Sequence, residues 1–231
     1  MRALLLYNPT ATTTNAAVID LITGALRDAL DLERVPTKRR NHAGFLAAGA
    51  ADEGYDIVIV LGGDGTVNEV VQGIATTDVA LAIIPGGSTN VLARSLGMPN
   101  DPIAATTAIL RRLDGGGARR VTLGLANDRY FTFHAGFGFD AEVVRQVERR
   151  YTLKRTVRQA SFVWCALLRT TRTALTSSNI GRLRFVDVLS DLPEVICEAD
   201  RPLPLQLDGD YVGESTTVTF RSVRDALLVV A

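Results

Sequence analysis

Continuous apolar runs alternate with amphipathic stretches in the first half of the chain. A short second strand is predicted at 32–35, and continuous apolar runs cover residues 3–7, 57–60 and 80–84. They show no polar alternation, which predicts strands buried on both faces, as in a parallel sheet covered by helices. Between them, apolar residues recur at helical spacing, for example Val67, Val70 and Ile74. This order of strands and helices predicts a doubly wound α/β domain with right-handed crossovers.

The second half of the chain has a β-rich pattern instead. It follows a glycine linker at 114–117, with predicted strands at 119–125 and 129–134 around a turn at Asn127. Near the end, residues 203–207 and 211–220 alternate as the strands of a hairpin should, on either side of Asp208-Gly209, a pair typical of hairpin turns. We therefore divide the chain into an α/β domain, 1–117, and a smaller β-rich domain, 118–231.

Composition excludes several classes of function. The 231 residues have a formal net charge of zero, so no overall field attracts nucleic acid. Cys165 and Cys197 are far apart and are predicted to be free thiols in a reducing compartment. The first apolar run is too short for a signal peptide, and the run at 162–168 is far short of a membrane span. We expect a soluble, cytoplasmic protein whose contact with membranes is peripheral.

The turn after the 57–60 run carries the candidate chemistry. Gly62-Gly63-Asp64-Gly65 leads directly into a predicted helix. Glycines reach backbone angles closed to other residues and let a ligand touch the main chain, and the N–H groups of a helix N-terminus bind phosphate. Asp64 would repel a bare polyphosphate, so it requires a bridging cation or a hydroxyl donor. Alternatively, Asp64 stabilises the turn or caps the helix.

Three more turns follow predicted strands. Asn8-Pro9 opens a hydroxyl-rich stretch that either contacts phosphate or caps a helix. Thr37 precedes three cations, which either contact phosphate or are solvated. Pro85-Gly86-Gly87-Ser88-Thr89-Asn90 is a second glycine turn. Because adjacent strand ends with phosphate-suited loops define one crevice, we expect a single ligand site at this edge.

These motifs resemble one family. Gly62-Gly63-Asp64-Gly65-Thr66-Val67-Asn68-Glu69 is similar to the signature of the diacylglycerol kinase catalytic domain family, which includes bacterial lipid kinases and the sphingosine and ceramide kinases. The shorter Gly-Gly-Asp-Gly core is shared with NAD kinases and 6-phosphofructokinases. The second glycine turn resembles the family's Pro-x-Gly-Thr-x-Asn motif, with Ser88 at the threonine position. The stretch at 135–141 resembles the glycine-phenylalanine start of the family's second domain.

The resemblance implies an ATP-dependent lipid kinase that uses Mg²⁺. It would move the γ-phosphoryl group to the hydroxyl of diacylglycerol or a similar lipid, giving phosphatidic acid for phospholipid biosynthesis. Asp64 would hold the metal or the substrate hydroxyl, and Asp210 would be the base, standing where the family has a glutamate one methylene longer. Glu214 is a nearby fallback. The implied nucleotide-site residues are Asn8, Pro9, Thr10, Ala11, Thr12, Thr37, Gly62, Gly63, Asp64, Gly65, Thr66, Val67, Asn68 and Ser88.

The chain also departs from the family pattern. Between 181 and 199 the family has several more strands and an Asp-Asp-Gly-x-Leu-Asp type motif tied to a structural magnesium site, and this chain has neither. We therefore expect a shortened β domain without that metal site or a complete lipid pocket. Two alternatives stay open: a kinase of the same superfamily for sphingoid or soluble acceptors, and a non-catalytic or weakly active nucleotide-binding protein.

The expected partner is the lipid substrate at the inner face of the membrane. A helical region at 145–172 is rich in arginine with few acids, including Arg149, Arg150 and Lys154. These cations form either a solvated helix face or a surface for anionic lipid head groups. The sequence predicts no nucleic-acid partner and leaves a homodimer open.

Overall fold

The computed structural model describes residues 1–9, 15–138 and 192–231. The described strands are β1 (Arg2–Tyr7), β2 (Asp31–Pro36), β3 (Ile57–Gly62), β4 (Ala80–Pro85), β5 (Ala118–Ala126), β6 (Arg129–Phe131), β7 (Ala135–Phe137), β8 (Glu194–Leu207) and β9 (Asp210–Val230). The described helices are α1 (Ala16–Arg27), α2 (His42–Ala48), α3 (Asp64–Ile74), α4 (Val91–Ser95) and α5 (Pro102–Asp114). None of these helices is long and apolar enough to cross a bilayer.

Contacts within the chain define two compact units. The first contains residues 1–133 and 223–231, and the second contains residues 134–222. The sequence-based boundary follows the glycine linker, whereas β5, β6 and the end of β9 belong with the first unit. These strands join the first unit because the end of β9 lies between β4 and β5, and because the Ala231 N–H donates to the Gly117 carbonyl at 3.1 Å. The assignment of two domains at 117/118 stays a prediction.

The core of the first unit is a parallel sheet. Its strands run in the order β2-β1-β3-β4, with the end of β9 parallel to β4 through the pair Leu81 and Val229. Every residue of β3 and β4 is buried, as their unbroken apolar sequences predict for strands covered on both faces. The predicted α/β fold class is therefore confirmed.

Helices α2 and α3 approach each other very closely through glycine. A Cβ atom added at Gly44 would lie 2.8 Å from the Glu69 carbonyl oxygen, and one at Gly73 would lie 2.7 Å from the Ala48 nitrogen. Neither contact atom belongs to a side chain that could move aside. The two glycines thus set how near α2 lies to α3, and α3 begins at the candidate turn.

A polar network lies near the amino ends of β1, β2 and β3. The Arg2 guanidinium stacks on the Tyr55 ring at 4.2 Å from its centroid, and the Arg2 N–H donates to Asp56 at 2.7 Å. The Tyr55 hydroxyl donates to the Glu33 carboxylate. Burial raises the pKa of Tyr55 to about 12, and the bond to Glu33 adds to the shift. We call this set (Arg2, Glu33, Tyr55 and Asp56) the amino edge.

The described part of the second unit is antiparallel. β8 pairs with β7 and with β9, and Asp208-Gly209 joins β8 to β9. Asp208 and Gly209 have φ values of 52° and 83°, as a two-residue type I′ hairpin requires. The predicted hairpin is confirmed, and β8 begins earlier than predicted, at Glu194 rather than Leu203.

Candidate functional site

Four strands of the first unit end at the same level. Tyr7 of β1 is in register with Pro36 of β2 and with Leu61 of β3, and Gly62 of β3 is in register with Pro85 of β4. The turns that begin at Asn8, Thr37, Gly63 and Gly86 therefore leave the sheet at one edge. We call this edge, with residues 8, 9, 37, 62–65 and 86–90, the carboxyl edge.

The connections reverse direction between β1 and β3. The chain passes from β1 outward to β2, then returns to β3 on the other side of β1 and continues outward to β4. At such a switch point the loops diverge and leave a crevice, which is where open α/β sheets bind ligands. The Asn8 turn and the Gly62–Gly65 turn flank this crevice, and the Asn8 N–H donates to the Leu61 carbonyl at 3.1 Å.

The two glycine turns pack main chain against main chain. A Cβ atom at Gly86 would lie 2.9 Å from the Gly62 Cα, and one at Gly87 would lie 2.8 Å from the Gly63 Cα. The Gly86 N–H also donates to the Gly62 carbonyl at 2.8 Å. None of these four glycines has a positive φ. The sequence-based explanation by unusual backbone angles is therefore wrong here, and close approach between the turns is the reason for glycine.

Asp64 connects the two glycine turns. It is the first residue of α3, but it makes no side-chain cap on its own helix. One carboxylate oxygen accepts from the Thr89 hydroxyl at 2.7 Å, and the other accepts from the Val91 N–H at 2.6 Å. Because Val91 is the first residue of α4, Asp64 caps the neighbouring helix. The capping alternative considered from sequence thus holds for α4 rather than for α3.

This arrangement agrees with comparisons against known proteins. The family described as the diacylglycerol kinase catalytic domain matches residues 2–124, more than half of the chain. The chain belongs to this family. The matched range contains both glycine turns and Asp64, so the resemblance drawn from those motifs is confirmed.

Several diacylglycerol kinases are similar to this chain over part of their length. The Bacillus subtilis enzyme is 43% identical over 102 residues, which cover 42% of this chain and 32% of that protein. A Staphylococcus aureus enzyme is 37% identical over 140 residues, covering 56% of this chain and 41% of that protein. The matched stretches thus span less than half the length of these curated relatives.

Solved structures share the fold at low sequence identity. The crystal structure of a diacylglycerol kinase from Bacillus anthracis has a TM-score of 0.68 and 17% identity, covering 99% of this chain and 96% of that chain. Another crystal structure from this organism gives a TM-score of 0.72 at 19% identity, with the same coverage. At these identities the likeness establishes the fold.

Two side chains of the family motifs, Asn90 and Glu69, form hydrogen bonds with main-chain groups of neighbouring segments. Asn90 is buried with a φ of 46°, and its side chain bonds both the N–H (2.9 Å) and the carbonyl (2.8 Å) of Gly87. Glu69 accepts from the N–H groups of Asn41 (2.8 Å) and Ala43 (3.2 Å) at the start of α2. Sequence reasoning missed these roles, although asparagine's tolerance of positive φ was a usable signal for Asn90.

The predicted site residues fall into three groups. Asn8, Pro9, Thr37, the glycines and Ser88 lie at the carboxyl edge, with Pro9 and Ser88 exposed and Thr66 half-buried beside Gly62. Val67 and Asn68 are buried, the Val67 N–H donates to the Gly63 carbonyl at 3.1 Å, and the Asn68 amide donates to the Tyr130 carbonyl at 3.3 Å. Asp210 opens β9 in the second unit, paired with Leu207.

Other predicted features lie outside the described residues. These are Thr10, Ala11, Thr12, Cys165 and the arginine-rich region at 145–172.

The part of the chain that the structure describes holds no group of three or more metal-ligating side chains. Asp64 is the predicted metal ligand at the carboxyl edge. Since Mg²⁺ is commonly held by one or two carboxylates together with substrate phosphates, Asp64 suits an ion that arrives with a nucleotide. Both its oxygens already accept protein donors, yet a carboxylate has further lone pairs to offer.

Proposed function

We propose that this protein is an ATP-dependent lipid kinase that transfers the γ-phosphoryl group to the hydroxyl of diacylglycerol or a similar lipid, giving phosphatidic acid. The observation that carries the proposal is the carboxyl edge: two mutually packed glycine turns beside a topological switch point, with one carboxylate fixed between them. Phosphoryl transfer depends on positioning and charge neutralisation more than on a strong nucleophile, which suits such a site.

The glycine turns would bind the phosphates. The first turn of α3 leaves main-chain N–H groups without helical partners, and the helix dipole favours negative charge there. Gly63 and Gly65 place no side chain in front of these groups, and Gly65 is exposed. Ser88, at the exposed tip of the second turn, would add a hydroxyl from the neighbouring strand end. Asn8 and Thr37 would contact the nucleotide from the other side of the switch point.

Asp64 would hold the ion that accompanies the nucleotide. Mg²⁺ bound there would neutralise charge on the transferring phosphoryl group. The chain's own contribution is to place the carboxylate before the ligand binds, since Asp64 accepts hydrogen bonds from the Thr89 hydroxyl and the Val91 N–H.

Asp210 would accept the proton of the lipid hydroxyl. It follows a type I′ turn and is paired in the β8–β9 ladder, so its main chain is well defined. Glu214, paired opposite Pro204 in the same ladder, is the alternative base. A base must come within hydrogen-bond distance of the hydroxyl, and Asp210 is one methylene shorter than the family's glutamate.

The names of the relatives support diacylglycerol as the acceptor class. A lipid acceptor requires contact with a bilayer, so we propose a cytoplasmic protein that meets the inner membrane face peripherally, in phospholipid biosynthesis. A neutral formal charge gives no general attraction to nucleic acid.

A second candidate function is nucleotide binding without catalysis. It is favoured by the shorter residue at the base position and by the structural bonds that already occupy both Asp64 oxygens. This candidate predicts affinity for Mg-ATP without turnover.

Transfer of labelled phosphate from ATP to diacylglycerol in mixed micelles tests the proposal, with sphingoid acceptors in parallel. We expect Asp64→Asn to lower kcat about 100-fold or more, because it removes charge from the reacting centre. Asp52→Asn, at an exposed position of the first unit, is the control and should match wild type. Nucleotide binding without turnover, unchanged by Asp210→Asn, would favour the second candidate. No stabilisation by saturating Mg-ATP would refute both.

A further inference from the structure

We propose that Thr89 is the positioning residue for Asp64, fixing the orientation of its carboxylate through the side-chain hydroxyl. This inference rests on the proposed function, since it concerns how the transfer site is held ready. Position 89 is an unspecified x in the Pro-x-Gly-Thr-x-Asn pattern, so the family motif gives it no role. The geometry of the second glycine turn indicates a role for Thr89.

Both donors on Asp64 come from residues that flank Asn90. The Thr89 Oγ1 donates to one carboxylate oxygen at 2.7 Å, and the Val91 N–H donates to the other at 2.6 Å. Asn90 has a φ of 46°, a conformation in which the hydroxyl before it and the N–H after it reach the same carboxylate. Asn90 is itself held by its two side-chain bonds to Gly87.

Two donors restrain a carboxylate more than one does. With the Val91 N–H alone, the Asp64 carboxylate could turn about the axis of that one hydrogen bond, so its second oxygen would have no fixed position. The Thr89 hydroxyl holds the second oxygen and so defines the plane of the group. Hydrogen bonds to an ionised acceptor are also among the stronger ones in proteins. Losing this bond should therefore disturb the reacting centre more than the fold.

The hydroxyl bond is directed at Asp64 and at no part of α4. Among the described residues, the Thr89 hydroxyl has a bond to Asp64 and none to the main chain of the helix that follows. Thr89 is exposed, so its removal leaves no cavity in the core. A hydroxyl that served only to cap α4 would bond a main-chain N–H of that helix, and Asp64 performs this task instead.

The test compares Thr89→Val with Thr89→Ser. Valine keeps the shape and removes the hydroxyl, whereas serine keeps the hydroxyl. We expect Thr89→Val to lower kcat about 10- to 100-fold, the factor that corresponds to losing one hydrogen bond to a charged group. The KM for ATP should stay within about threefold of wild type. Thr89→Ser should restore kcat to within about threefold. Both variants should have a thermal midpoint close to that of wild type.

A second measurement needs no turnover. Amide hydrogen exchange at Val91 reports the bond to Asp64, and it should accelerate in Thr89→Val but not in Thr89→Ser. If wild type transfers phosphate to no acceptor, the proposed function fails, and the exchange comparison still decides whether Thr89 positions Asp64. If Thr89→Val keeps wild-type kcat, or lowers only the thermal midpoint, or leaves Val91 exchange unchanged, the positioning role is refuted.

Discussion

The two edges of the first unit's sheet are built in opposite ways. At the amino edge, polar side chains satisfy one another: Arg2 stacks on Tyr55, and Tyr55 donates to Glu33. At the carboxyl edge, glycines expose main chain, and Asp64 is tied to the neighbouring turn. The side chains of one edge close it, whereas the lack of side chains leaves the other accessible to a ligand.

The difference between the two edges predicts which substitutions affect the free energy of unfolding and which affect ligand binding. Changes at the amino edge should alter the free energy of unfolding and leave nucleotide affinity alone. Changes at the carboxyl edge should affect ligand binding, because its main chain is both the packing surface and the proposed binding surface. A substitution at the amino edge can therefore change stability without changing ligand binding, whereas one at the carboxyl edge is expected to change both.

The largest effect is expected for Gly86→Ala. Its Cβ would lie 2.9 Å from the Gly62 Cα and 3.0 Å from the Gly62 nitrogen, so main chain must shift. We expect a loss of about 3 kcal/mol in the free energy of unfolding, as for severe overpacking, together with at least tenfold weaker Mg-ATP binding. Denaturant titration and calorimetry measure the two quantities.

Gly24→Ala is the matched control for that prediction. Gly24 is exposed within α1 and would have nothing within 4 Å of an added Cβ. Alanine should leave binding unchanged and raise stability by up to about 1 kcal/mol through helix propensity. If Gly86→Ala behaved like Gly24→Ala, the two turns would not be in the tight contact described.

A smaller effect is expected for Glu69→Gln. Glutamine retains one acceptor oxygen for the two N–H groups of Asn41 and Ala43, so one donor at the start of α2 loses its partner. The free energy of unfolding should fall by about 1 kcal/mol, the usual cost of a lost helix cap. Amide exchange at Asn41 and Ala43 should accelerate, whereas Glu198→Gln on the exposed part of β8 should change nothing. Unchanged exchange would mean that Glu69 does not cap α2.

The smallest effect at neutral pH is expected for Tyr55→Phe, at the amino edge. Because folding raises the pKa of Tyr55 from its ordinary value of 10.0 to about 12, the folded state holds the phenolic proton more tightly than the unfolded state. This contribution to stability is present below pH 10 and is lost as the pH rises to 12. The stability difference between wild type and Tyr55→Phe should therefore shrink over that interval, with Mg-ATP affinity at neutral pH unchanged. A pH-independent difference would contradict the raised pKa.

Sequence patterns predicted the parts of the molecule that depend on local order. β3 and β4 were predictable because their apolar runs are unbroken, and the Asp208-Gly209 hairpin because its turn chemistry is specific. The first residues of β8 were missed: exposed and half-buried positions alternate there, but the apolar Ile196 lies among the exposed ones and obscures the alternation in the sequence. Propensity alone carries little information at such positions.

Contacts between distant residues were beyond sequence reasoning. The sequence indicated two glycine turns on adjacent strand ends, but not that Gly63 and Gly87 would meet main chain to main chain. Likewise, Asp64 was identified as a site residue, while its bonds to Thr89 and Val91 depend on the path of the second turn. Only the register of β3 against β4 places these residues together.

The contact between Gly62 and Gly86 also limits how this protein can change over time. In most cores, a residue that grows can be accommodated by a neighbour that shrinks. Here both residues are glycine, so neither can become smaller to make room for a larger residue at the other position. A lineage that acquired a larger residue at position 86 could recover only by moving a whole strand end, and with it the proposed phosphate site.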